Sequence, residues 1–405
     1  MGAHHLLHSI CIAVSLGIAP QLAMSQSDLS GLKAAVDAAW QRSPRARTLE
    51  ARLNEAQASR EAAQSWIAGS PSIGIGQRSD RWTDGNGVRE TEVSVSAPVW
   101  LPGQKSARQN LAQAGSEDLD AQLANARLAL AGEVRERLWA VAAARESLAE
   151  AQDHLHHLEG LAEEVQLRVK AGDLARTDGM LAQQEVLAAR AAASAARVRE
   201  QEALMRYRNL TGQQDIPVPQ PEPIAVAMRE PHPRLLSAQT AVQQAQASFN
   251  VVNATRSDPP TIGLSMRQER DTYEADSSRS IAVAVQIPLG TRSRNRPLET
   301  AALTQIATAN AEAAQTESAL HAELDLARQQ LAAAQDALDA AKARAELTRE
   351  HTRLIDKAFR LGERGLADLL RSEALSHEAE VAVRQQQVAV GLAHARINQA
   401  LGIIP

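Results

Sequence analysis

The sequence predicts a mainly α fold with a small β part, in which one structural unit is written twice along the chain. Three observations carry this expectation. Landmark residues recur at a fixed separation, long stretches keep a three-four spacing of Leu and Ala, and two short windows switch to strict alternation.

The separation is 189 or 190 residues throughout. Pro44 in SPR pairs with Pro233 in HPR, and Pro71 in SPSIGIG pairs with Pro260 in PPTIGLS, each 189 apart. Pro98 with Pro288, Gly172 with Gly362, Asp178 with Asp368 and Gly212 with Gly402 are each 190 apart. These pairs define a first repeat over 26–212 and a second over 232–402. The proline-rich stretch 213–231 between them reads as an extended linker.

Both repeats read in the same order. A helical stretch (45–67 or 234–256) comes first, followed by a β-hairpin (71–98 or 260–288). Ile73, Ile75, Val93 and Val95 alternate with small residues in the first hairpin. Ile262, Leu264, Ile281, Val283, Val285 and Ile287 do so in the second. Strands are expected at about 71–79, 91–98, 260–268 and 280–288, each hairpin having one aliphatic face and one of Gly, Ser and Ala. About 65 residues of helical pattern follow, roughly 100 Å of helix. Leu148, Leu155, Leu158, Ala162, Val165 and Val169 keep a coiled-coil spacing in the first repeat. Leu324, Ala327, Leu331, Ala334, Leu338, Ala341 and Ala345 keep it in the second. A glycine costs a helix interior about 1 kcal/mol. Gly172 and Gly362 are therefore read as tips where the chain reverses into return helices at about 177–210 and 367–401.

Composition agrees with long helices at close range: 44 % of residues are hydrophobic, yet only 2 % are aromatic. The net charge of -5 offers no basic excess, so nucleic acid is set aside as a partner. Residues 6–19 form an apolar run too short to span a bilayer, and Ala23 and Ser25 suit a cleavage site, so 1–25 reads as a signal peptide. The segment before that run lacks Lys and Arg. Cys11, the single cysteine, lies inside this leader, so the mature chain is expected to hold no disulfide or thiolate metal site.

The two hairpins, the prolines closing the return strands and the tip pattern R-x-x-x-G-x-x-x-x-x-D resemble the TolC family of outer-membrane efflux channels across nearly the whole mature chain. Arg168, Gly172 and Asp178 carry that pattern in the first repeat; Gly362 and Asp368 carry it in the second, where position 358 is alanine and the nearest arginine is Arg360. The resemblance implies a homotrimer in outer-membrane lipid, in which long helices form an α-barrel and two hairpins per chain build a 12-stranded membrane β-barrel. It implies a tripartite system in which a periplasmic adaptor docks on the channel and an inner-membrane pump loads the cargo. An edge argument points the same way, because an open four-stranded sheet in lipid needs other copies to close it.

Within that frame, the docking tips are expected at Arg168, Val169, Gly172, Leu174, Thr177 and Asp178, with Leu361, Gly362, Gly365 and Leu366 in the second repeat. The resemblance places a periplasmic gate at Arg364 and Asp368, although Arg371 stands where the family carries a second acid. A solvated i, i+4 charge pair is the plainer reading of the same two residues. Trp82 and Tyr273 at the hairpin tips, and Trp66 and Trp100 at the base, are candidate membrane-interface anchors; ordinary packing is an equal reading for the last two.

His154, His156 and His157 lie within two turns, but a metal shell would need a second element, so a solvated helix face is expected. No nucleophile elbow, P-loop or H-E-x-x-H motif is present, and neither an enzyme nor a cofactor is expected. The segments QIPLGTRSRNRP and PVWLPGQKSAR resemble the branch that serves heavy-metal exporters, which makes metal cations the favoured cargo. Organic solutes or drugs are the alternative cargo, and a periplasmic coiled-coil adaptor or scaffold is the alternative role.

Overall fold

The computed structural model describes residues 23–405. The expected leader therefore lies almost wholly outside the described residues. Eleven elements follow in order: α1 (Ala23–Arg42), α2 (Pro44–Gln64), β1 (Ser72–Ser79), β2 (Arg89–Pro98), α3 (Gln104–Ala171), α4 (Arg176–Thr211), α5 (Pro233–Ala254), β3 (Thr261–Arg270), β4 (Ser278–Gln286), α6 (Arg292–Arg360) and α7 (Leu366–Ala400).

The paired landmarks mark element termini. Pro44 and Pro233 occupy the first turns of α2 and α5, where a missing N–H is harmless. Their helices are capped alike: Ser43 Oγ accepts from the Ala46 amide at 3.3 Å, and His232 Nδ1 accepts from the Arg234 amide at 3.2 Å. Pro71 and Pro260 immediately precede β1 and β3, and Pro98 ends β2. Gly212 and Gly402 adopt positive φ (72° and 78°) just beyond α4 and α7. The strands run one or two residues away from the expected bounds, chiefly because β2 and β4 begin earlier, at Arg89 and Ser278.

The two hairpins join through β2 and β3 into one antiparallel sheet of order β1-β2-β3-β4. Its register stacks side chains into rows. Ile73, Val95, Leu264 and Val283 form one aliphatic row, and Ile75, Val93, Met266 and Ile281 form the next. On the other face Gly74, Ser94, Ser265 and Ala282 align, as do Ser72, Ser96, Gly263 and Ala284.

The helices carry the core. α3 and α6, of 68 and 69 residues, each extend about 100 Å at 1.5 Å per residue. α1 is a helix the repeat pattern does not announce; Leu32, Ala35, Val36 and Ala39 pack against Val134, Leu138, Leu204 and Tyr207 of α3 and α4. In the second repeat the linker takes the equivalent place, with Ala225 and Met228 set against Leu324, Ala327, Ile397 and Leu401.

The linker is fixed by a buried ion pair. Arg135, 2 % exposed, donates Nε and Nη2 to both Glu222 oxygens at 2.8 and 2.7 Å, and Nη1 to Gln399 Oε1 and the Ile403 carbonyl. Asn398 donates to Glu222 Oε2 and the Pro223 carbonyl. Nearby, Gly391 of α7 sits directly on the Trp139 ring of α3, leaving no room for a Cβ. The two repeats thus lock together at α3, α7 and the linker.

Because removal of one partner strands a buried charge, Glu222→Ala is expected to cost about 3–5 kcal/mol, seen as a lower unfolding midpoint. The double change Arg135→Met/Glu222→Leu should recover most of that loss in the same denaturation series.

Candidate functional site

Two regions at opposite ends of the long helices hold the candidate residues: the exposed sheet and the paired helical tips. The sheet's aliphatic face is uncovered, with Ile73, Ile75, Ile281 and Val283 each at least 70 % exposed. A water-soluble sheet would bury such a face; one immersed in hydrocarbon presents it. The small-residue face turns charged toward the hairpin tips. There Arg267 meets Glu90 at 3.1 Å and Glu92 at 3.3 Å, and Arg78 lies 3.9 Å from Glu90. Among the described residues no helix is long and apolar enough to cross a membrane.

The aromatic candidates divide by environment. Trp66 and Trp82 are 81 % and 89 % exposed. Tyr273 is exposed but lies over Gly87, joining the two hairpin tips. Trp100 is held in place: its indole N–H donates to the Ser65 carbonyl at 3.0 Å, and Arg108 sits 5.5 Å from the ring centroid.

At the opposite end the tips share one geometry. Gly172 takes φ 87°, its N–H bonding to the Val169 carbonyl while the Asp173 N–H reaches the Arg168 carbonyl. Gly362 takes φ 78°, with Gly362 and Glu363 bonding to Phe359 and Ala358 in the same way. Both are Schellman closures, for which a left-handed residue is required. The expected turns are therefore present, in open space.

The two tip aspartates have diverged. Asp178 accepts from the Ala175 amide at 3.2 Å and caps α4. Asp368 lies 3.6 Å from Arg364 across one turn, and both side chains are more than half exposed. Arg168 reaches across to the second repeat, its guanidinium 4.9 Å from the Phe359 ring centroid. The alanine at 358 thus sits beside the aromatic that receives the first repeat's arginine. One expectation is corrected. Leu366 is not free for docking but 2 % exposed, packed with Leu158, Val165, Val186 and Phe359; Val169 and Leu174 flank the same cluster, half-buried. Gly172, Thr177, Leu361, Gly362 and Gly365 stay exposed.

The histidine cluster is also corrected. His156 is exposed, but His154 stacks on His377 of α7 with centroids 3.9 Å apart, and His157 Nε2 lies 2.9 Å from Glu373 Oε1. A second element is present after all, although no three donors among the described residues converge to hold a metal. Sequence reasoning left His377 and Glu373 unassigned, since nothing local ties them to residues more than 200 positions away.

The comparisons with known proteins agree with this geometry. Residues 35–213 match the family model described as outer membrane efflux protein. No curated protein matches the chain. Among solved structures, the outer membrane protein VceC of Vibrio cholerae is 17 % identical over 93 % of this chain and 98 % of its own, with a TM-score of 0.76. The MtrE outer membrane channel of Neisseria gonorrhoeae is 19 % identical over 92 % and 89 %, TM-score 0.72. A membrane protein of Pseudomonas aeruginosa is 19 % identical over 92 % and 94 %, TM-score 0.74. The fold is that of the TolC-type α-barrel channels. The family match is confined to the first repeat, and the solved structures extend the likeness of fold over the second.

Because a Cβ at positive φ costs about 1–2 kcal/mol, Gly172→Ala and Gly362→Ala are each expected to loosen their own tip by that amount. Hydrogen exchange should quicken at the tip concerned while the sheet amides keep their protection.

Proposed function

We propose that the chain forms the outer-membrane conduit of a tripartite export system, acting as a homotrimer through which cargo passes without chemical change. The observation that carries the reading is the uncovered aliphatic sheet with two free edges, set at one end of helices about 100 Å long. Three chains supply twelve strands, and closure pairs β1 of one copy with β4 of the next. Trp66, Trp82, Trp100 and Tyr273 then mark the two lipid interfaces. Outer-membrane fractionation and heat-modified gel migration test this: a soluble, heat-indifferent monomer would reject it in favour of a periplasmic adaptor or scaffold.

The helical tips are the docking point for the periplasmic adaptor. Gly172, Thr177, Leu361, Gly362 and Gly365 offer the exposed small surface, while Arg168, Val169, Leu174, Asp178 and Leu366 hold its shape. Gly172→Trp combined with Gly362→Trp is expected to abolish export while trimers still reach the outer membrane. Normal efflux from such correctly placed trimers would remove the tips from the docking surface.

Arg364 and Asp368 form the gate at the periplasmic mouth. If the pair faces the three-fold axis, three carboxylates converge and their field attracts cations; on an outward face each would be screened separately. Asp368→Ala is therefore expected to weaken block by multivalent cations, and Arg364→Ala to raise resting conductance. Planar-bilayer recordings indistinguishable from the parent would place the constriction elsewhere.

Heavy-metal cations are the favoured cargo, on the resemblance of residues 98–108 and 286–297 to the metal-exporting branch. Loss of the gene should sensitise cells to metals; sensitivity to organic compounds alone would identify the other cargo class.

A further inference from the structure

Between the Arg135 network and the tips, α3 and α7 meet at a group of side chains that neither docking nor conduction employs. The His154 and His377 rings lie parallel, 8° from coplanar, with centroids 3.9 Å apart. His157 contacts Glu373 one turn nearer the tip. From residue 154 to the Gly172 turn, α3 extends about 27 Å at 1.5 Å per residue. Parting α7 from α3 at this height loosens the support of the second tip, leaving the cluster of Leu158, Val165, Val186, Phe359 and Leu366 to join it to the first.

We propose that the His154–His377 stack is an acid-sensitive latch between the two repeats, closed while both rings are neutral and released when they take up protons. The inference rests on the channel reading above. Two parallel imidazoles can pack face to face; two imidazolium ions at the same spacing repel and lose hydration that the half-buried site does not replace.

Most of the surrounding charges are paired elsewhere, and Glu150 is the one that also faces the stack. On α3, Glu150 is buried and paired with Arg384 of α7, which also reaches Glu146 at 3.4 Å; Glu150 Oε2 stands 3.9 Å from His377 Nδ1. Asp153, beside His154, is exposed. On α7, Glu373 is taken by His157, and Glu380 is paired with Arg349 of α6 at 3.1 Å. Asp356 of α6 acts on His157.

Burial, with His377 and His157 adding repulsion, holds His154 down at about 4. His377 is also lowered by burial, against the pull of Glu150 and Glu380. A histidine whose folded pKa lies below its ordinary value binds fewer protons in the closed state, so the latch weakens as pH falls from about 6.5 toward 4. His157 has the opposite sign. Its hydrogen bond to Glu373 raises its pKa, so its contribution is complete at low pH and fades as pH rises through that value. Acid therefore opens the stack while the His157–Glu373 contact persists as a pivot.

The test uses purified full-length trimers in planar bilayers. Between about pH 7.5 and about pH 4.5, a range spanning histidine titration, the resting conductance of the parent should rise several-fold. His154→Phe/His377→Phe keeps a stack that cannot take protons and should remain flat; the smaller pair His154→Gln/His377→Gln guards against a packing artefact and should also remain flat. His157→Gln, lacking the pivot, should open at higher pH. In parallel, spin labels on Gln152→Cys and Ala374→Cys should move apart in acid in the parent background and stay put in the Phe pair. Conducting trimers whose conductance and label distance ignore pH would overturn the latch and leave the channel intact. Trimers that never conduct would overturn the channel reading, and the label distance alone then decides the latch.

Discussion

Everything distinctive about this chain depends on a hydrogen-bonding debt at the two edges of its sheet. β2 and β3 satisfy each other, but the outer edges of β1 and β4 have no partner strand among the described residues. In hydrocarbon each unpaired backbone group costs several kcal/mol. Once the aliphatic rows commit the sheet to lipid, a closed ring of copies is the stable outcome. In the proposed trimer, that ring would set a three-fold arrangement for the long helices that continue from the sheet's base.

Duplication supplies this geometry economically, and the places where the copies differ are informative. Both repeats keep a side-chain cap before the first proline, the same strand entries and left-handed glycines at the tips and repeat ends, because these positions fix where the chain turns. They diverge in side chains at the tips. Asp178 has become a helix cap, whereas Asp368 faces a neighbouring arginine, and one arginine serves both tips by lying over Phe359. A duplicated scaffold with unequal tips lets one hairpin remain structural while the other is free to change function.

The fold was legible because its signals are local. Prolines at helix starts, glycines at helix ends and period-two alternation each act within a few residues, so reading them placed the strands to within a residue or two and both tips at the right glycine. What escaped was long-range. Arg135 and Glu222 are ordinary surface residue types in the sequence, and only the folded linker brings them together in the interior. Leu366 reads as tip surface in the sequence because the helical pattern does not reveal that Phe359 and the first repeat close over it. Gly391, set against Trp139, and Gly132, set against Gln399, are local hints of the α3–α7 lock, since a glycine inside a strong helical pattern often marks a close neighbour.

The row of Gly74, Ser94, Ser265 and Ala282, with its companion of Ser72, Ser96, Gly263 and Ala284, has a meaning for transport. Side chains this short leave the bore of a closed barrel almost as wide as its backbone permits, and they offer few groups with which to grip a solute. The charged row nearer the mouth is largely neutralised within itself by the Arg267 pairs. A passage so lined sorts by size and little else. In the conduit proposed above, chemical discrimination would fall to whatever loads the cargo, before it reaches a bore of this kind.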